Sequence, residues 1–279
     1  MPFDLMAYLG SCRQAVEDEL DRVLPPAAQT PAVLHEAMRY SVFAGGKRIR
    51  PAFAIAAAEC LGGGCRTAIA AAAAVELLHT YTLIHDDLPC MDDDDTRRGR
   101  PSCHKAFGEA NALLAGDALL TLAFETAARS PVAPAAIVRA LAVAAGSRGV
   151  VGGQVADLAA TGQPSDESTM HFIHAHKTAD LFRAAVEMGG LSAGADAGAL
   201  VALRAFGRAA GLAFQLVDDL LDADEPDDHS FSSIHIMGRE RARAHAASLT
   251  AEAMDALGPF NEAAEPLRAI ARYLLERTT

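Results

Sequence analysis

The sequence predicts an all-α protein, folded as a single bundle of about ten helices over residues 1–279. Three observations carry this. Alanine, the strongest helix former, is abundant, while aromatic residues make up 5% and tryptophan is absent, so strand-favouring side chains are scarce. Apolar residues recur at helical spacing nearly throughout. Short Gly, Pro and Asp breaks divide that pattern without a shift of composition, an internal repeat or a low-complexity linker. Hydrophobic residues at 51% supply enough material for one large core.

The elements follow in order. A first helix is expected over 3–24, stopped by Pro25-Pro26, and a second from Thr30-Pro31 to just before Gly45-Gly46. A third begins at Arg50-Pro51 and ends at Gly62-Gly63-Gly64, and a long fourth runs from Thr67 towards Met91. Others are expected over 108–128, 133–147, 149–161, 167–190, 197–223, 236–256 and 261–276. The stretch Ala68–Leu78 is apolar but too short to span a bilayer, and it reads as a buried core helix. Gly207 and Gly211 interrupt an apolar helix and are expected at close helix packing.

Net charge is −12, which disfavours nucleic acid and anionic membrane surfaces as partners. Five cysteines without CxxC spacing read as free thiols, and no basic segment leads into an apolar run at the N-terminus. These readings point to the cytoplasm. The charge is unevenly placed: six aspartates fall between Asp86 and Asp95, and seven acids between Asp218 and Asp228.

Asp86, Asp87 and Asp92 follow a greasy helix, at the end where the helix dipole repels anions. A divalent cation would offset that repulsion, and hard oxygen ligands suit Mg²⁺. Asp218 and Asp222 are spaced i, i+4 on one helix face, where like charges repel unless a cation lies between them. The chain has three lysines, Lys47, Lys105 and Lys177. Lys47 sits in Gly45-Gly46-Lys47-Arg48-Ile49-Arg50, whose glycine pair and basic side chains suit an anion. Arg97-Arg98 follows the first acidic cluster and suits a diphosphate bridged to metal. Lys177, in His176-Lys177-Thr178, has apolar neighbours, so it either snorkels or faces a polar cavity.

The segments GGKRIRP, HTYTLIHDDLPCMDDDDTRRGRPSCH, GDALL, GGQVADL, HKT and FQLVDDLLD together resemble the trans-isoprenyl diphosphate synthase family (polyprenyl synthetases), close to bacterial farnesyl and geranylgeranyl diphosphate synthases. The resemblance runs from about Tyr40 to Asp222, with a recognisable C-terminal end from about Ile236. It implies an isoprenoid synthase type bundle around a central apolar cavity, and a homodimer. It also implies a Mg²⁺-dependent, head-to-tail condensation of isopentenyl diphosphate with an allylic diphosphate, using about three ions per site, with Mn²⁺ as a substitute.

In that scheme Asp86, Asp87 and Asp92, with Asp218 and Asp222, hold the metals. Arg97 and Lys177, with Thr178 and Gln215 close by, hold the allylic diphosphate; Lys47, Arg50, His79 and Arg98 hold that of isopentenyl diphosphate. Asp86, Asp92, Arg97, Lys177 and Asp218 carry the catalytic step. Tyr81, five residues before Asp86, would block the substrate tunnel and give a fifteen-carbon product. Geranylgeranyl and geranyl diphosphate are the alternatives. Two other classes compete: a terpene cyclase, which would pair one acidic motif with a different metal triad, and a non-catalytic partner subunit. The chain departs from the family after Asp222, where an acidic segment from Ala223 to Phe231 contains no lysine; Arg239, Arg241 and Arg243 are the cations that could substitute.

Overall fold

Helix α4, Cys65–Asp86, forms the axis of the protein. From Ala68 to Leu78 only Ile69 is not fully buried, so the helix is apolar all round and every face meets a neighbour. The computed structural model describes residues 3–161, 166–222 and 233–275, with the side chains of residues 222 and 275 left out. Around α4 stand α1 (Leu5–Val23), α2 (Ala32–Val42), α3 (Ile49–Glu59), α5 (Cys103–Phe107), α6 (Glu109–Ala128), α7 (Pro134–Ala145) and α8 (Val150–Ala160). Then come α9 (Glu167–Ile173), a π-helical turn (His174–Ala179), α10 (Asp180–Ser192), α11 (Ala197–Asp222), α12 (Ser233–Met237), α13 (Arg239–Ala256) and α14 (Glu265–Leu275). Helices α3, α6 and α10 pack directly on α4, and α11 lies between α10 and α13.

Packing explains the local choices. Phe53 on α3 meets Phe182 on α10 and Phe206 on α11 edge-on, at ring separations of 5.8 and 5.6 Å. Phe182 also reaches Phe214, so this aromatic group ties the core to the site. The expectation for Gly207 and Gly211 is met: a Cβ at either position would lie 2.8 or 2.7 Å from the Cα of Arg183 or Ala179. Among the described residues three segments are long and apolar enough to cross a membrane by length and composition, α4 among them, but 78% of its apolar window is buried inside the bundle.

Three expectations need correction. The fourth helix ends at Asp86, not near Met91, because Pro89 disfavours helical geometry before it. The chain turns back there, with the Asp92 amide donating to the Asp86 carbonyl at 2.9 Å. A small antiparallel ladder, β1 (Thr96–Arg97) with β2 (Arg100–Pro101), follows. Its turn residues Arg98 and Gly99 both have positive φ, the geometry of a tight hairpin. The helix expected over 167–190 is interrupted by the π-turn, and that over 261–276 begins as a 3₁₀ segment, Gly258–Ala264. The lysine-free segment after Asp222 lies outside the described residues.

Candidate active site

Helix α4 delivers Asp86 as its last residue, and the turn after it brings Asp92 alongside. Among the described residues neither side chain is hydrogen-bonded or paired with a base. Burial pushes the Asp86 carboxyl up to about 7; the nearby Lys177 ammonium pulls against that rise and the Asp92 carboxylate adds to it. Burial raises Asp92 as well, again opposed by Lys177. Two unpaired carboxyls brought together in a half-buried place are a fit for a divalent cation, which would supply the charge that the fold withholds.

Asp87, which the sequence groups with Asp86 and Asp92, has a partner of its own. It is buried, at 2% exposure, and accepts from Arg97 Nε at 2.8 Å. Arg97 also donates to Asp94 at 2.7 Å. Asp87 is therefore an anchor for the hairpin that carries Arg97 and Arg98.

Beside this acidic edge lies a cleft of about 630 Å³, lined by Lys47, Arg50, His79, Arg98, Phe182 and Phe214. Arg98 reaches across from the hairpin, donates to the Gly45 carbonyl, and fills the place a side chain would take at Gly46, where φ is +119°. Arg50 stacks on the Phe182 ring at 4.6 Å, and its buried Nε has no partner. Burial pulls its guanidinium down to about 10, against the opposing charges of Glu76 and Asp218. Burial first, and then the Arg50 and Arg98 charges, hold His79 well below its ordinary value. The neutral ring faces Arg50 at 3.3 Å. Arg48, in the same loop, is fully buried and paired with Glu76 at 2.7 Å. The cleft has an excess of cations and an orphaned donor, so it suits an anion with several oxygens.

Lys177 projects from the π-turn. Its Nζ donates to Asp157 on α8 at 2.5 Å. Burial would lower the ammonium, but Asp157, Asp86 and Asp92 outweigh burial and leave it raised. The backbones come this close because residue 153 is glycine: a Cβ there would lie 2.2 Å from the Lys177 nitrogen. Asp157 is a site residue that sequence reasoning missed; the signal available was an acid in the otherwise apolar helix around GGQVADL.

The second acidic segment closes helix α11. Asp218 carries a charge felt by Arg50, which places it beside the cationic cleft. The Asp222 side chain lies outside the description. Gln215 accepts from Thr178 at 2.7 Å and donates to Asp219 at 2.9 Å. Arg241 is paired with Glu167 at 2.9 Å.

Below Asp86 lies a largely apolar cavity of about 230 Å³, lined by Tyr81, His85, Met91, Val151, Val155 and Leu158. Tyr81 is 6% exposed and meets His85 edge-on at 5.4 Å.

Residues 31–230 match the polyprenyl synthetase family. The chain is 43% identical, over a 298-residue alignment, to the heterodimeric geranylgeranyl pyrophosphate synthase large subunit 1 of Arabidopsis thaliana chloroplasts, with 99% of this chain and 80% of that protein covered. It is likewise 43% identical to the chloroplastic geranylgeranyl pyrophosphate synthase of Capsicum annuum, covering 99% and 79%. Among solved structures, an FPP/GFPP synthase from Zymomonas mobilis is similar at a TM-score of 0.90 and 37% identity, covering 97% and 98%. A geranyltransferase from Legionella pneumophila is similar at 0.86 and 36%, covering 98% and 96%.

Proposed function

The chain belongs to the polyprenyl synthetase family and is a prenyltransferase that condenses prenyl units head to tail; on that premise we propose how its residues divide the work and what it makes. The observation that carries the reading is the pairing of unpaired carboxyls, Asp86 and Asp92, with an adjacent cleft whose Arg50 Nε is buried without a partner. Asp86, Asp92, Asp218 and Asp222 are the residues that would hold Mg²⁺, or Mn²⁺ in its place. When bound, about three such ions would neutralise charge on the departing pyrophosphate.

The chain's own groups do the rest. Lys177, steered by Asp157, and Arg97 grip the allylic diphosphate. Lys47, Arg50, Arg98 and the neutral His79 hold isopentenyl diphosphate, whose double bond then attacks the allylic carbon. The tail lies against Tyr81 and the α8 valines, in a cavity whose lining is largely apolar.

The product we assign is geranylgeranyl diphosphate, supported by the names of the relatives at 43% identity. A second reading, farnesyl diphosphate, is favoured by Tyr81 in the cavity wall and by an FPP/GFPP synthase among the similar structures. Incubation with isopentenyl diphosphate and each of dimethylallyl, geranyl and farnesyl diphosphate, followed by sizing of the products, decides between them. A twenty-carbon product supports the first reading; accumulation at fifteen carbons, lengthened by Tyr81→Ala, supports the second. Consumption of allylic diphosphate without isopentenyl diphosphate would point to a cyclase and overturn both.

We also propose a homodimer. Val151, Val155 and Leu158 expose an apolar face of α8 beside the tail cavity, at 43%, 63% and 41%. Sedimentation of the purified chain at two concentrations tests it, and a monomer that gains activity only with a second, different subunit would replace it.

A further inference from the structure

One buried carboxylate has no part in the scheme above. Asp219 sits next to Asp218 on α11 and is 7% exposed. Its Oδ1 accepts from Gln215 Nε2 at 2.9 Å, and its Oδ2 accepts from the backbone amide of Ser233, the first residue of α12, also at 2.9 Å. His174, 4% exposed, brings Nε2 to 3.5 Å from the same Oδ2.

These contacts close a circuit. His174 opens the π-turn, and Thr178 lies near its end. Thr178 Oγ1 donates to Gln215 Oε1 at 2.7 Å, and Gln215 returns to Asp219. The π-turn is thus pinned to α11 at both ends, His174 to Asp219 and Thr178 to Gln215. Between the two pins it presents Lys177. A π-turn is a costly conformation that recurs at functional sites, and it needs outside support to persist. Each carboxylate oxygen of Asp219 is already engaged by a neighbour within the fold.

We propose that Asp219 and His174 are positioning residues for the allylic half of the reaction: together they hold the π-turn so that Lys177 meets the allylic diphosphate. The inference rests on the assignment of Lys177 to that diphosphate. It predicts an asymmetry, because Lys47, Arg50, His79 and Arg98 belong to other elements and do not share the circuit. Loosening the circuit disturbs one diphosphate and spares the other.

The test is steady-state kinetics of the full chain with Mg²⁺, varying isopentenyl diphosphate and geranyl diphosphate separately. Asp219→Asn turns one acceptor into a donor and leaves the Gln215 or the Ser233 amide unmatched. The expected result is a KM for geranyl diphosphate raised about tenfold or more, the scale for groups that orient a binding residue, with KM for isopentenyl diphosphate unchanged. His174→Ala is expected to show the same split, and His174→Gln, whose amide can take the place of Nε2, to reverse most of it.

If Asp219→Asn does not fold, the two His174 variants decide. Loss of active enzyme with both KM values unchanged means a merely structural role and overturns the proposal. So does an equal rise in both KM values, or a failure of His174→Gln to recover what His174→Ala loses. A wild-type chain that never consumes isopentenyl diphosphate overturns the functional reading instead, whereas a wild type that turns over with variants that show no split overturns only this inference.

Discussion

The two acidic segments look alike in sequence, each with adjacent aspartates at the end of an apolar helix, yet they are built by different physics. In the first, Asp86 is left unpaired at the end of α4, while Asp87 is sunk beneath it and held by a cation, Arg97. In the second, the Asp218 charge acts on Arg50, while Asp219 is sunk and held by neutral donors, the Gln215 amide and the Ser233 backbone N–H. Each pair therefore divides its labour. In each pair one carboxylate is turned to the cationic side of the site and the next one fastens the helix end. The fastening differs in kind: an ion pair to a hairpin at the first segment, a hydrogen-bonded circuit to the π-turn at the second. A charge-held anchor is sensitive to losing its partner, since a lone buried carboxylate is costly. A hydrogen-bonded anchor is sensitive to geometry.

The largest effect that could break this comparison is a swap of roles. Asp86→Asn and Asp218→Asn are expected to lower kcat by about 10²–10³-fold or more, the scale for removing a group that stabilises transition-state charge. Asp87→Asn should fall far less in kcat among the molecules that fold. Isopentenyl diphosphate consumption, normalised to folded protein, checks all three. An Asp87→Asn enzyme as dead as Asp86→Asn would return Asp87 to the metal site and end the division of labour.

Much of this was legible before the structure. The helices came from apolar periodicity and glycine or proline breaks, and both acidic segments and the Gly45–Arg50 cation loop stood out by composition. At the second segment the i, i+4 spacing singled out Asp218 and Asp222 over Asp219, but what holds the neighbouring aspartate at either segment was not legible. Neighbours on a helix point about 100° apart, and the choice between them is made by residues brought in by the fold: Arg97 by a hairpin, Gln215 and Ser233 by the return of α11 and α12. The hairpin itself was hidden because Arg98-Gly99 lacks the Asn-Gly or Asp-Gly signal of a tight turn. The π-turn was hidden because six residues are too few to separate its period from that of an α-helix. Asp157, which steers Lys177, was quoted in a motif but given no task, since its partner lies twenty residues away.

A smaller effect sharpens the contrast in fastening. Arg97→Ala leaves Asp87 buried without its counter-charge. Breaking such a pair costs about 3–5 kcal/mol when both partners are buried. The Arg97 side chain is 34% exposed, so solvent screening reduces this to about 1–3 kcal/mol. A fall in Tm of about 2–8 °C by calorimetry is expected. Thr178→Val, which cuts one hydrogen bond of the second anchor, is expected to cost about 1 kcal/mol and a correspondingly smaller shift. An Arg97→Ala protein with an unchanged Tm would show that Asp87 is fastened by something else.

The finest distinction is in pH. In the metal-free chain burial raises Asp86 to about 7, above the ordinary range of an unfolded carboxyl. A folded-state value raised in this way means that the native chain holds a proton that the unfolded chain has released. The contribution of Asp86 to stability is therefore fully present below the ordinary carboxylate range and is lost as pH rises through about 7. A divalent cation competes with that proton. Its apparent affinity should weaken by up to about tenfold for each pH unit below this value, one proton being displaced per ion at this carboxyl. Thermal scans with and without Mg²⁺ are expected to show a larger stabilisation at pH 8 than at pH 6. Asp86→Asn should shrink that difference, because the carboxyl with the largest rise is gone and only Asp92 remains there to exchange a proton for the metal. Asp219→Asn should leave it in place, because that carboxylate is engaged by Gln215 and the Ser233 amide rather than by a metal. If instead Asp219→Asn flattened the profile and Asp86→Asn did not, the carboxyl exposed to metal would be the one at the second segment, and the roles of the two helix ends would be reversed.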